Sequence, residues 1–189
     1  SIYYSPIILN MRLFSFQDQQ GHHSLGALLE KDSSQYIDLC ATDPNIPKDL
    51  LALIQSDPEL TQARRALLNP RAVIHNLSDI RFTPLIHRPE KIICLGLNYA
   101  DHAKELGNAI PDEPVVFQKA NSSIIGPGES IVLPTAIGQV DHEGELLVVI
   151  GTGGRDIALD AALKHVAGYS IINDVTARAK SKALQAKGY

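Results

Sequence analysis

The stretch 140–150, Val-Asp-His-Glu-Gly-Glu-Leu-Leu-Val-Val-Ile, places the tightest constraint on how this chain folds. From Leu146 onward it is an apolar, β-branched run suited to a buried strand. Two carboxylates, Glu143 and Glu145, stand at its entrance, two residues apart. In an extended chain that spacing puts both on one face. Like charges side by side on a largely buried sheet repel, and each is costly to desolvate. A cation between them is the simplest remedy, so the pair predicts a divalent-metal site. A solvated strand entrance with two exposed glutamates is the alternative.

Composition bounds the rest. With 189 residues, 44% of them hydrophobic and 20% charged, the chain suffices for one globular domain plus a small appendage. A net charge of -4, with no basic run, argues against a nucleic-acid partner. Two cysteines, Cys40 and Cys94, are too few for a disulfide scaffold or a cysteine-based zinc site, and both are expected in the core. No apolar run approaches the roughly 20 residues of a membrane span. Residues 1–10 precede the only methionine, Met11, and Ile7-Ile8-Leu9 is too short for a signal-peptide core. A natural start at Met11, a leader or added residues over 1–10, and a cytoplasmic location are the expectations.

Along the chain, residues 11–16, 24–29 and 35–39 predict three short strands of an antiparallel meander, with a turn over 31–34. Residues 49–55 and 60–68 carry apolar residues at helical spacing, with Asp57-Pro58 as a helix start. These elements make a small N-terminal domain over 11–80, joined by a proline-punctuated stretch to a second domain over 89–189. There, 91–96, 115–119, 131–134, 145–150 and 169–173 predict strands. Residues 100–106 and 176–187 predict helices, the former closed by Gly107-Asn108. Gly151-Thr152-Gly153-Gly154 reads as a hairpin turn. Leu159, Leu163 and Val166 mark one face of a helix ended by Gly168.

Asp174 ends an apolar strand, where a buried carboxylate again needs a partner. With Glu143 and Glu145 it forms an all-oxygen set that suits Mg²⁺, Mn²⁺ or Ca²⁺ better than Zn²⁺. His102 and Glu105, three residues apart on a predicted helix, share a face, and such a pair can activate water. A surface ion pair is the more ordinary account of that spacing. Asn98 and Tyr99 offer polar side chains just upstream. Lys119 ends a strand, where it either pins an anionic group or reaches solvent. Arg178 lies one helical turn beyond Asp174, close enough to help neutralise a substrate carboxylate. Ser122-Ser123 lacks a nucleophile-elbow context, and His22-His23 sits in a polar loop with no acidic partner nearby.

Several of these segments together resemble the fumarylacetoacetate hydrolase-like family. They are 91–102 (Lys-Ile-Ile-Cys-Leu-Gly-Leu-Asn-Tyr-Ala-Asp-His), 113–119 (Glu-Pro-Val-Val-Phe-Gln-Lys), 140–145, Ala167-Gly168-Tyr169 and 173–178 (Asn-Asp-Val-Thr-Ala-Arg). The resemblance runs over 89–178 in unbroken order, and more loosely over the N-terminal part. It implies a mixed α+β, mainly β fold: a β-sandwich or β-roll catalytic domain with a small β-rich N-terminal domain, usually in homodimers. It also implies Mg²⁺ or a related ion on Glu143, Glu145 and Asp174. His102 and Glu105 match the family's acid–base dyad on a lid, and Lys119 a lysine near the site. Two departures stand out: Ala179-Lys180-Ser181 follows Arg178 where the family commonly has Asp-x-Gln, and the family continues beyond the equivalent of Tyr189. Gln185 replaces the missing glutamine only if its helix is displaced, and the catalytic domain is expected to be incomplete at its C-terminus.

The function this resemblance implies is metal-dependent hydrolysis of a C–C bond in a small 2-oxo or 2,4-dioxo acid of the acylpyruvate or fumarylacetoacetate type. The physical logic is that such acids chelate a metal through carboxylate and keto oxygens. Isomerisation or decarboxylation of dienoic or oxaloacetate-type acids on the same site is the alternative. An inactive member serving as a binding or dimerising module is another.

Overall fold

The structure, a computed structural model, describes residues 11–29, 34–105, 107, 109 and 111–187. Within that set, the side chains at 102, 103, 105, 182 and 185 are not described. The expected leader over 1–10 and most of the turn over 31–34 lie outside the described residues.

The chain begins with β1 (Leu13–Gln17), β2 (His23–Leu28) and β3 (Gln35–Asp38), followed by the helices α1 (Leu39–Thr42), α2 (Leu50–Ser56) and α3 (Thr61–Leu67). Two short strands, β4 (Ile74–Asn76) and β5 (Arg81–Phe82), complete an antiparallel sheet of order β4-β3-β2-β1-β5. Alternation along these strands gives the sheet two covered faces. On one, Leu25, Ala27 and Ile37 join Leu39, Leu50, Leu53, Ile54, Ala63 and Ala66 of the helices. On the other, Phe14, Phe16 and Tyr36 form an aromatic cluster, with the Phe14 and Phe16 centroids 5.4 and 5.1 Å from that of Tyr36. Fully burying each large side chain contributes about 1.5–3 kcal/mol. Phe14 lies across Gly26, its register partner, where a Cβ would come within 2.3 Å of the ring.

Helix starts follow side-chain chemistry. Asp38 and Asp49 cap α1 and α2 by accepting from the Ala41 and Ala52 amides. The start expected at Asp57-Pro58 falls later. α3 opens after Leu60, which is left-handed at φ 54, and the Asp57 carboxylate reaches forward to the Gln62 amide at 2.7 Å. His22, expected without an acidic partner, pairs with Asp18 at 3.1 Å, because the turn between β1 and β2 folds the two together.

Tyr36 supports a pH prediction. Burial first, then the negative charges of Asp38, Asp79 and Asp18, push its phenol up to about 12 from the ordinary 10. The folded state therefore favours the neutral phenol. Its contribution is complete below pH 10 and is lost as pH rises from about 10 to 12. Urea unfolding across that window is expected to show falling stability, and Tyr36→Phe to flatten the fall. An equally steep fall in the variant would refute the assignment.

The second half contributes β6 (Ile92–Gly96), α4 (Ala100–Glu105), β7 (Val115–Lys119), β8 (Gly144–Ile150), β9 (Val166–Asn173) and α5 (Arg178–Gln185). β6–β7 and β8–β9 are two antiparallel ladders. One face of β8–β9 meets the N-terminal core: Val149 is buried in it, and Leu147 and Ala167 pack against it. Gly151 lets the chain pass close by, since a Cβ there would lie 2.8 Å from Ala167 and 3.2 Å from Ile54. The other face presents Leu146, Val148, Ile150, Tyr169 and Ile171 to solvent.

Three expectations are corrected. Residues 131–134 form no strand: they pair with no described strand, Val132 is exposed, and the 3-10 turn Thr135–Ile137 follows Pro134. Residues 159–166 form no α-helix. Leu159 and Leu163, both exposed, lie in the 3-10 turn Leu159–His165, so no apolar stripe is buried to sustain a helix, while Val166 and Gly168 already belong to β9. The Gly151–Gly154 segment is not a tight hairpin. The whole of 151–165 links β8 to β9, and its base is closed by the Gly151 amide donating to the His165 carbonyl at 2.8 Å and the His165 ring Nδ1 to the Thr152 carbonyl at 2.8 Å. The fold is mixed α+β with helix and strand roughly balanced rather than mainly β, because the N-terminal core is built as much from helices as from sheet.

Candidate metal centre

The ladder β8–β9 continues past its strands toward a cluster of charge. Asp141 and Thr176 form a β-bridge, with amide-to-carbonyl bonds of 2.9 and 3.0 Å in the two directions, and the Asp174 amide donates to the Glu143 carbonyl at 2.8 Å. Asn173 turns its side-chain oxygen to the Glu143 amide at 2.9 Å. These rungs bring the residues before β8 beside those after β9. Glu143, Glu145 and Asp174 each offer an oxygen, and the three oxygens lie within 4.8 Å of one another. Asp174 is buried and both glutamates are half-buried.

Charge in the cluster is unevenly compensated. Lys119 Nζ, at the end of β7, pairs with Asp174 Oδ1. Arg178 pairs with Glu143 and, through Nε at 3.0 Å, with Asp141. Glu145 has neither, and burial, then the charges of Asp174 and Glu143, push its carboxyl above the ordinary range against the pull of Lys119. Asp141 moves the other way, held low first by the hydrogen bond from Arg178 and then by that from Gln139. Cys94 on β6 borders the cluster, its thiol raised by burial and by Asp174. Three carboxylate oxygens this close, one buried and one raised by burial and then by its like-charged neighbours, are a donor set that could hold a hard divalent cation.

The remaining candidates lie around this centre. Tyr99, in the loop between β6 and α4, brings its hydroxyl to 3.4 Å from the Leu146 amide, next to Glu145. Asn98 is exposed in the same loop. His102 and Glu105 fall on α4, but their side chains are outside the described set, as is that of Gln185 on α5. Reading the sequence missed Asp141 and Thr176. Asp141 could have been found, since 141, 143 and 145 continue one two-residue period of acidic residues.

Residues 91–188 match the family model described as fumarylacetoacetate (FAA) hydrolase C-terminal. The chain belongs to the fumarylacetoacetate hydrolase family, a family of enzymes. It is 40% identical over 173 residues to the mitochondrial oxaloacetate tautomerase FAHD2A of Bos taurus, an alignment covering 89% of this chain and 54% of that protein. The chain thus spans about half the length of the curated relatives it matches. Among solved structures, the fumarylacetoacetate hydrolase from the psychrophile Exiguobacterium antarcticum is 37% identical with a TM-score of 0.69, over 92% of this chain and 59% of that one. The maleylpyruvate hydrolase of Sphingobium sp. SYK-6, in complex with manganese(II) and pyruvate, is 28% identical with a TM-score of 0.67, over 88% of this chain and 59% of that one.

The expected cytoplasmic location is overturned by these relatives. The Bos taurus protein and its counterparts in Xenopus laevis, Homo sapiens and Rattus norvegicus are all named mitochondrial. The absence of a secretory-signal pattern says nothing about an organelle. Among the described residues, no helix is long and apolar enough to cross a membrane.

Proposed function

We propose that this protein is a divalent-metal-dependent isomerase of 2-oxo acids, acting as a keto–enol tautomerase on an oxaloacetate-type substrate. The convergence of Glu143, Glu145 and Asp174 carries the proposal. The relatives named oxaloacetate tautomerases favour isomerisation over the C–C hydrolysis expected first.

The donor chemistry fits a hard ion held by these three carboxylates, with Mg²⁺ the finer assignment and the manganese complex of the Sphingobium enzyme supporting a divalent ion in general. A divalent ion there supplies Lewis-acid charge at the keto and carboxylate oxygens of a 2-oxo acid. Tautomerisation needs a group that removes a proton from carbon and one that delivers a proton to oxygen. We assign both tasks to His102 and Glu105 of α4, three residues apart on one helical face. Lys119 and Arg178, each paired with carboxylates of the cluster, are assigned contact with a substrate carboxylate once a divalent ion balances the cluster's negative charge. Tyr99, whose hydroxyl reaches the Leu146 amide beside Glu145, and Asn98 of the same loop are assigned to substrate binding. A division into a small N-terminal domain over 11–80 and a catalytic domain over 89–189, and assembly as a homodimer, belong to the same proposal. The exposed apolar face of β8–β9 supports an association of this kind.

The test follows enol-to-keto conversion of oxaloacetate spectroscopically, with Mn²⁺, after chelation, and after Mn²⁺ is restored. Acceleration that disappears with chelator and returns with metal is expected. No acceleration in any condition would sink the proposal, and cleavage of acetylpyruvate without tautomerisation would transfer the site to the hydrolytic reading.

A further inference from the structure

Arg178 reaches two carboxylates at once. Its Nε donates to Asp141 Oδ2 at 3.0 Å, and a terminal nitrogen donates to Glu143 Oε1. The other oxygen of Glu143, Oε2, lies 3.2 Å from the Thr176 hydroxyl, which also lies 3.0 Å from the Asp174 carbonyl. One hydroxyl proton serves both, so Thr176 is the lesser partner. Asp141 is not among the three carboxylates of the cluster, and its side chain accepts only from Arg178 and Gln139 among the described residues. Its backbone is nevertheless tied to Thr176 in both directions, which fixes where the Asp141 carboxylate stands.

We infer that Asp141 and Arg178 form a positioning clamp that sets the orientation of Glu143 for a divalent cation. The inference rests on the reading of Glu143, Glu145 and Asp174 as the ligands. An arginine suits the task because its planar fork fixes two partners at a set angle, which a lysine ammonium does not. Asp141 neutralises the guanidinium, so Glu143 is oriented without an uncompensated positive charge opposing the metal. The formal charges agree: the carboxylates of Asp141, Glu143, Glu145 and Asp174 against Lys119 and Arg178 leave a deficit that one divalent cation balances. Groups that orient a ligating carboxylate from outside the coordination sphere typically control about 10–100-fold in metal affinity.

The experiment titrates the full chain with Mn²⁺, following the free aqueous ion by electron paramagnetic resonance, and records melting without metal. Arg178→Gln is expected to weaken Mn²⁺ binding by roughly 10–100-fold. Arg178→Lys, which keeps the charge and loses the fork, is expected to retain the metal-free melting temperature without recovering the affinity. Asp141→Asn is expected to weaken binding when Arg178 is present and to have a much smaller effect in the Arg178→Gln background, where only its through-space charge remains and its positioning role is gone. Wild-type affinity in Arg178→Gln, or an equal Asp141→Asn effect in both backgrounds, overturns the clamp. Should Arg178→Gln not fold, wild-type affinity in both Arg178→Lys and Asp141→Asn does the same. A wild-type chain that takes up no Mn²⁺ overturns the ligand reading and the clamp with it.

Discussion

Asp174→Ala is expected to abolish Mn²⁺ uptake and tautomerase turnover while leaving the metal-free fold close to its original stability. Two opposing changes produce the second half of that outcome. Lys119 loses its partner, and removing one member of a well-covered pair is destabilising. Glu145 at the same time loses a like-charge neighbour, which relieves the repulsion that, after burial, raises its carboxyl. The two changes act in opposite directions, and Lys119 keeps solvent access that softens its loss, so the net change in metal-free stability is expected to be small. Metal binding has no such compensation, because the buried member of the three-oxygen set is gone. Wild-type protein at 100 times the dissociation constant gains about 2.7 kcal/mol by linkage, and the variant is expected to gain nothing. Melting curves with and without Mn²⁺ read both numbers at once. A variant whose melting temperature still climbs with Mn²⁺ would show that Asp174 is not a ligand.

Leu53→Ala is expected to produce the largest loss of stability. Leu53 is fully buried on α2, in the cluster that joins the N-terminal sheet to Val149 of β8. Truncation removes transfer energy and leaves a cavity, costing about 2–5 kcal/mol. For a chain of this size that lowers the melting temperature by about 5–15 °C. At low temperature, where the variant remains folded, Mn²⁺ affinity is expected to stay near wild type, since the three carboxylates are fixed to one another by the rungs of their own ladder. Chemical unfolding and a low-temperature titration check the two halves separately. A loss below about 1 kcal/mol would mean that this contact plane contributes little.

The strands that bear the site were legible because their signals are local. Period-two placement of Glu143 and Glu145 and the apolar run after them announce β8, and the closing Asn173-Asp174 announces the end of β9. That Asp174 meets the glutamates is a matter of register, which pairs Gly144 with Asn173. From sequence it was reached through family resemblance and the need of buried charge for a partner. The errors have a common cause in tertiary context. Residues 131–134 have strand composition but no described partner strand, and the leucines at 159 and 163 have helical spacing but nothing to pack against. Asp141 is marked in the sequence only by its two-residue spacing from Glu143, because its partner, the Arg178 guanidinium, lies 37 residues away. The reaction was the least legible, since a cluster of chelating carboxylates serves hydrolysis and tautomerisation alike.

The segment between β8 and β9 is pinched at its base, where Gly151 and Thr152 meet His165, and the residues beyond that neck stand out in solvent. Such a compact loop is separable from the ladder that carries it. Its length can drift over evolutionary time for little more than the slowly growing entropy of closing a longer loop, with the pairing of β8 and β9 left in place. The span from Asp174 to Arg178 has no such freedom, for there one added residue would carry the guanidinium away from both its carboxylates. Variation in this family is therefore expected to gather at the neck's far side, and a dye or affinity tag placed there would report on the protein without entering the carboxylate cluster.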